Sequence, residues 1–147
     1  MIRYYGIGTW WKSTIPHQHF NEFIERDMAS IHASLNKPTE RERGNRQRFQ
    51  NIFNGIEKED IIYLKGYNIR GRKVRIRAVG RVIEKSERRD NDIFCISVYY
   101  GEEKSKLKID GLIDLDNIDD SVPRDKRVYE ETNLIFIEKI KELMKSV

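Results

Sequence analysis

The run KVRIRAVGRVIE, residues 73–84, limits the fold more than any other stretch of the chain. Side chains of an extended strand alternate between its two faces. Val74, Ile76, Ala78, Gly80 and Val82 therefore fall on one face, and Arg75, Arg77, Val79, Arg81 and Ile83 on the other. The pattern predicts a strand with one core face and one cationic face. Gly80 inside it predicts a bulge or a close backbone approach, as where a small barrel bends. Similar β-branched and aromatic runs lie on either side, DIIYLKG and DIFCISVYYG. Strands are expected near 60–66, 73–84 and 93–100, with a first one near 2–10 in IRYYGIGTW and a short further one in KLKIDGLIDL.

Helical spacing frames these strands. Phe20, Phe23, Ile24, Met28, Ile31 and Leu35 form a stripe that predicts a helix near 17–34, with Pro16 at its start after the capping-type Ser13 and Thr14. Residues 36–48 are polar and aperiodic, a loop or a charged helix entry, and RFQNIFNGI then gives a short amphipathic turn or two. Leu134, Ile137, Ile140, Leu143 and Met144 predict a terminal helix near 133–146. The element order is α+β: a small curled β-sheet or partly closed β-barrel with flanking helices, in a single domain spanning 1–147.

Charge points to a partner. The net +4 conceals an uneven spread, with residues 37–89 carrying sixteen Lys or Arg against seven Asp or Glu, and residues 90–147 carrying nine against fourteen. From Lys65 to Arg81 there are seven basic residues and no acidic one. A basic middle beside an acidic tail suits an anionic partner. No window approaches the roughly 18 apolar residues of a membrane span, so no membrane partner is expected. The single cysteine, Cys95, cannot form an intramolecular disulfide, which suits a cytoplasmic protein.

Dedicated chemistry is hard to find. His17 and His19 could offer two metal ligands, but with His32 and Cys95 they make no spacing that holds a metal. No phosphate-cradling glycine loop, nucleophile elbow or zinc-protease motif occurs. No cofactor, metal or catalytic residue is expected, and the chain reads as a non-enzyme. Aromatic and basic residues stand out instead. Trp10, Trp11, Tyr63, Tyr67, Tyr99 and Tyr100 fall at expected strand ends near Lys12, Lys65, Arg70, Arg72 and Lys73. Aromatic rings stack on bases, and Lys and Arg neutralise phosphates. Neighbouring tryptophans on a strand point to opposite faces, so one of Trp10 and Trp11 lines a pocket and the other packs.

In their order, GTWWK, EFIERDM, RFQNIFNGI, EDIIYLKG, IRAVGRVIE, ISVYY and RVYEETNLIFIEKIKELM, these motifs resemble the prokaryotic PUA-like modules of the EVE type. Such modules occur fused to the ATPase or nuclease of modification-dependent restriction systems. The chain departs from their pattern at Glu59, where a glycine is usual before Asp60, and at Tyr99 or Tyr100, where tryptophan is usual. The resemblance implies a PUA-like barrel that captures a flipped, modified base, in DNA rather than RNA, within prokaryotic defence and with an effector nuclease or ATPase as partner. It implies a base pocket from Thr9, Trp10, Trp11, Lys12, Lys65, Tyr99 and Tyr100. The phosphate contacts expected beside it are Arg70, Arg72, Lys73, Arg75 and Arg77. Two other functions would use the same residues: a small nucleotide-ligand binder, or an adaptor docking on an effector through the acidic C-terminal third.

Overall fold

The computed structural model describes residues 1–8, 10–11, 17–18, 20–32, 40–66, 72–86, 93–101, 111–116, 118, 120–122, 124 and 128–145. The strands are β1 (Tyr4–Gly8), β2 (Trp10–Trp11), β3 (His17–Gln18), β4 (Met28–His32), β5 (Ile61–Gly66), β6 (Lys73–Ser86), β7 (Ile93–Tyr99), β8 (Gly111–Asp114) and β9 (Val128–Glu131). The helices are α1 (Phe20–Glu25), α2 (Glu40–Gly55) and α3 (Leu134–Lys145). One curled, mixed sheet runs β4-β7-β6-β5-β1-β9, with β8 also paired to β6, and β2 and β3 form a separate ribbon. Only β1 and β5 are parallel; the other ladders among the described residues are antiparallel. This is the expected α+β architecture.

Both faces of the sheet are buried. Tyr5, Ile7, Ile62, Leu64, Ala78, Val82, Ile96, Val98 and Val128 pack on one face with Phe23 and Ile24 of α1 and Phe53 of α2. Tyr4, Ile61, Tyr63, Val74, Ile76, Val79 and Tyr129 pack on the other with Phe136 and Ile140 of α3. The expectation of one core face and one cationic face on β6 is therefore corrected. The β5–β6 register shifts between Leu64, opposite Ala78, and Lys65, opposite Ile76, which leaves Arg77 as the extra residue of a bulge. An inserted residue inverts the alternation beyond it. Val74 and Ile76 thus share the α3 face with Val79, while Ala78 and Val82 face the other way. A second shift after Val82 leaves Ile83 as another extra residue. Gly80 is the site of a close approach: an added Cβ would lie 2.5 Å from Val98 Cγ1 and 2.9 Å from the Tyr99 carbonyl.

The helix expected over 17–34 is also corrected. It spans only Phe20–Glu25, and Asp27, at φ 48°, turns the chain into the edge strand β4. Phe23, Ile24 and Ala29 are still buried, so the stripe marked core residues but not their conformation. Helix α2 runs over residues 40–55, so the polar stretch read as a loop or a charged helix entry is, from Glu40 on, helix continuous with the amphipathic turns that follow. Its early turns are rich in Arg, Glu and Gln, good helix formers that carry no apolar period.

Between α2 and β5 the chain makes a tight turn. Asp60 is buried and its carboxylate accepts the backbone N–H groups of Arg3 (3.0 Å) and Glu57 (2.8 Å). Glu59, before it, sits at φ 80°, a conformation natural to glycine. The residue that departs from the EVE pattern is therefore a strained one, and its exposed ion pair with Arg81 (3.2 Å) returns little.

A polar network closes the α3 side. Arg124, only 8% exposed, donates to both oxygens of buried Glu131 (2.7 and 2.8 Å) and of Asp120 (2.9 Å each). Its guanidinium lies 4.5 Å from the Phe136 ring centroid. Burial alone would lower the Arg124 pKa, but Glu131 and Asp120 overcome that and hold it raised. Glu131 also accepts from the Asn133 N–H (3.1 Å), and Asn133 caps α3 by accepting from the Phe136 N–H (3.1 Å). The Tyr63 hydroxyl meets that of Tyr129 at 2.6 Å and Glu131 Oε1 at 3.1 Å. Burial first, then Tyr129 and Glu131, push the Tyr63 pKa well above the usual phenol value, so it stays protonated.

Two predictions follow from this chemistry. Replacing Glu59 with glycine should leave the protein as stable or raise its stability by about 1 kcal/mol, since an L-residue at positive φ costs roughly 1–2 kcal/mol and glycine returns part of that as entropy. A urea midpoint that falls measurably in Glu59→Gly would contradict this account of the turn. The second concerns pH. The hydrogen bonds from Arg124 lower the Asp120 pKa in the folded state. Its contribution is intact above the unfolded value of about 4 and is lost as pH falls through the lowered native value. Asp120→Asn should be less stable than the parent by about 1–2 kcal/mol at pH 6–7. The two should converge near pH 2, read from urea midpoints across the range.

Candidate nucleic-acid interface

Strand register brings several of the expected residues to one end of the sheet. Gly8, the last residue of β1, lies opposite Lys65, and Gly66, the last residue of β5, lies opposite Arg75. Ile7 lies opposite Val128, the first residue of β9. The Trp10–Trp11 ribbon begins two residues beyond Gly8, with Trp10 opposite Gln18 and Trp11 opposite His17. Trp10, Trp11, Lys65, Lys73, Arg75 and Arg77 thus belong to elements that meet at this end. Thr9, Lys12 and Arg70 lie outside the described residues, as do Tyr67 and His19.

At the centre of this corner is Gly66. A Cβ built there would be 3.3 Å from Arg77 Cδ and 3.7 Å from Arg75 Cδ, so two arginine stems lie across the end of β5 where a side chain would otherwise stand. The bulge at Arg77 is what permits this. Without the extra residue, Arg75 would fall on the α3 face with Val79; with it, Arg75 shares the face of Leu64 and Ala78. Lys73 and Arg75 are exposed and Arg77 is half-buried.

Other expected residues are used differently. Lys65 is buried on the α3 face, where its Nζ donates to the Arg124 carbonyl and lies 5.2 Å from the Tyr129 ring centroid. Arg72, at φ 53°, donates to the carbonyls of Leu115 (3.0 Å) and Ile118 (3.3 Å), while its own carbonyl accepts the Leu115 N–H (2.8 Å). It is a clasp between the turn before β6 and the segment after β8. Tyr100 is a core residue whose hydroxyl donates to the Met28 carbonyl (2.8 Å). Burial, then the charge of Asp27, push its pKa well above the usual phenol value. Tyr99 is 39% exposed, but it lies opposite Arg81, itself opposite Ile61 and level with Tyr4 at the far end of β1. Neither tyrosine shares the sheet end of the tryptophans. Sequence reading missed Arg124, Glu131 and Asp120, which hold this end together. A buried ion pair seven residues apart in an acidic stretch leaves no periodic signal.

Among the described residues no group of three or more His, Cys, Asp or Glu could hold a metal ion, and no helix is long and apolar enough to cross a membrane. No protein-family model matches the chain, and no curated protein does. Among solved structures the chain is similar to the Pho92 YTH domain in complex with m6A, at 12% identity and a TM-score of 0.49, covering 97% of this chain and 86% of that one. It is likewise similar to the YTH domain of the Zygosaccharomyces rouxii MRB1 protein in complex with N6-methyladenosine RNA, at 12% identity and a TM-score of 0.46, with the same coverage.

Proposed function

We propose that this protein is a non-catalytic nucleic-acid-binding module that takes up a flipped, modified base at the end of the sheet marked by Gly8 and Gly66. The observation that carries this reading is the Gly66 corner, where the stems of Arg75 and Arg77 cross the end of β5 beside the strand that leads into Trp10 and Trp11. A protein that reads a base must clamp it between flat or apolar faces and hold the backbone around it by cations. The tryptophan ribbon supplies the flat surface, and Lys73, Arg75 and Arg77 supply the cations. The resemblance to EVE-type modules supports the same reading and adds that the base is modified. Arg72 and Lys65 act here as supports: each spends its cation on backbone carbonyls of the 115–124 segment.

The test is a titration against matched DNA and RNA oligonucleotides with and without a modified base, at two salt concentrations. N6-methyladenine belongs in the set because the two solved YTH domains carry it. Binding should weaken steeply with salt. Lys73→Ala with Arg75→Ala should flatten the slope by roughly 1.4–1.8, two phosphates at about 0.7–0.9 each, equally for every sequence. Arg72→Ala should leave the slope unchanged and lower the thermal midpoint instead. Trp10→Ala with Trp11→Ala should abolish discrimination between modified and unmodified strands. Tight binding of a mononucleotide with little salt dependence would replace this reading by that of a small nucleotide-ligand binder.

A further inference from the structure

Strand β8 lies on the far side of β6 from β5, so Arg75 has Gly66 as one neighbour and Leu112 as the other. Residues directly opposite each other on an antiparallel pair point to the same face. The exposures along β8 agree. Ile113 is buried on the α3 face with Val74, whereas Leu112 and Asp114 are exposed, as are Arg75 and Lys73 opposite them. Gly66, Arg75 and Leu112 thus form a row across the end of the sheet, spanning two strand spacings of about 4.8 Å each.

In that row Leu112 is out of place. The exposed positions of a half-buried strand are ordinarily polar, as Asp114 is, yet Leu112 is an apolar residue with 52% of its surface in water. Looseness of the strand is not the cause. Gly111 before it abuts α3, where an added Cβ would lie 2.5 Å from Leu143 Cδ2, Ile113 after it is in the core, and Arg72 holds the Leu115 carbonyl. Nor does the neighbouring arginine cover it. Gly66 has no side chain, and the stems of Arg75 and Arg77 lean across β5 into that space, with Arg75 Cδ 3.7 Å from where the Cβ would stand. An Arg75 turned toward β8 would lay its methylenes over Leu112. Turned toward β5, it leaves that apolar surface bare beside its own charge.

Building on the base-reading function, we propose that Leu112 is the contact for a second base, the neighbour of the captured one, while Arg75 holds the phosphate between the two. A base and not the backbone comes over β8, because Asp114 on the same face repels a phosphate there. The contact is apolar and non-directional, so it accepts any base. The ligand is then a strand of at least two nucleotides crossing the sheet end from β5 to β8, not a single nucleotide.

Variants that leave the charge unchanged test this. Leu112→Thr removes the apolar surface but keeps a residue that favours strands, so it should fold, which melting curves check. The probe is a short strand with N6-methyladenine, or whichever base of the titration set binds tightest, at its centre. Leu112→Thr should lose about fivefold in affinity at both salt concentrations. Its salt slope should match the parent's, since no phosphate contact is lost. Leu112→Phe should bind at least as tightly as the parent. Leu134→Thr, at a leucine 76% exposed at the start of α3, should lose less than about twofold. An abasic nucleotide on one side of the modified base should weaken the parent about fivefold and Leu112→Thr little further, because both changes remove one contact. A Leu112→Thr loss no larger than that of Leu134→Thr, or full additivity with an abasic nucleotide on each side in turn, would overturn the Leu112 contact and leave the base-reading function standing. Failure of the folded parent protein to bind any strand would remove both.

Discussion

A guanidinium shut away from water has to be surrounded by acceptors, because an uncompensated buried charge costs several kcal/mol. At Arg124 this condition is met by two carboxylates, each bound through a pair of hydrogen bonds, and by the face of Phe136. The consequence reaches well beyond the pair. Glu131 is the last residue of β9, Asn133 caps α3 beside it, and Asp120 belongs to the segment that sinks Ile118 into the core. Strand, helix and connecting segment are thus fixed by one cation. The carbonyl of the same Arg124 receives Lys65, which ties the end of β5 into the assembly. Removing one partner would leave the others buried without compensation, so the network acts as a unit.

Much of the fold was legible because the strands are bounded by their own chemistry. Alternation and β-branched content located β5, β6 and β7, and helical spacing located α3. The errors have specific causes. The stripe from Phe20 to Leu35 satisfies a helical period, yet Asp27 takes a left-handed conformation and the remainder completes the sheet as β4. Pairing with β7 rewards Met28–His32 more than continuing the helix would, and no local pattern reports a partner about 65 residues away. The face assignment of β6 failed at Arg77 for a similar reason: the bulge is a property of how β5 and β6 meet, and nothing in KVRIRAVG marks the residue that will be left over.

The candidate site was read from residue type alone, and the structure shows what residue type leaves out. Register places Lys73, Arg75 and Arg77 at the end of the sheet where Gly8 closes β1, two residues before Trp10. Charge alone, however, does not distinguish a cation offered outward from one consumed within the fold. Arg72 and Lys65 lie in the same basic run as Arg75, but carbonyl groups of a distant segment claim them. Tyr99 and Tyr100 follow their strand in sequence as Trp10 and Trp11 follow theirs. The sheet has two ends, and direction of travel decides which residues meet. Strand β7 terminates level with the start of β1, because its partner β6 runs antiparallel to β5 and β5 runs parallel to β1.

Cations bound to backbone carbonyls would also matter to the proposed binding function. A surface that must hold a flexible strand gains most when its own groups are already fixed, since ordering them on binding would subtract from affinity. Here the segment after β8 is held by Arg72 at its start and by Arg124 at its end. The turn entering β6 cannot move without breaking the Leu115 and Ile118 contacts. Lys73 and Arg75, one and three residues further on, therefore start from a backbone that is already constrained. Within the basic run, buried Lys65 and exposed Arg72 hold the end of the sheet in place, and the proposed phosphate contacts Lys73 and Arg75 follow directly from the backbone they fix.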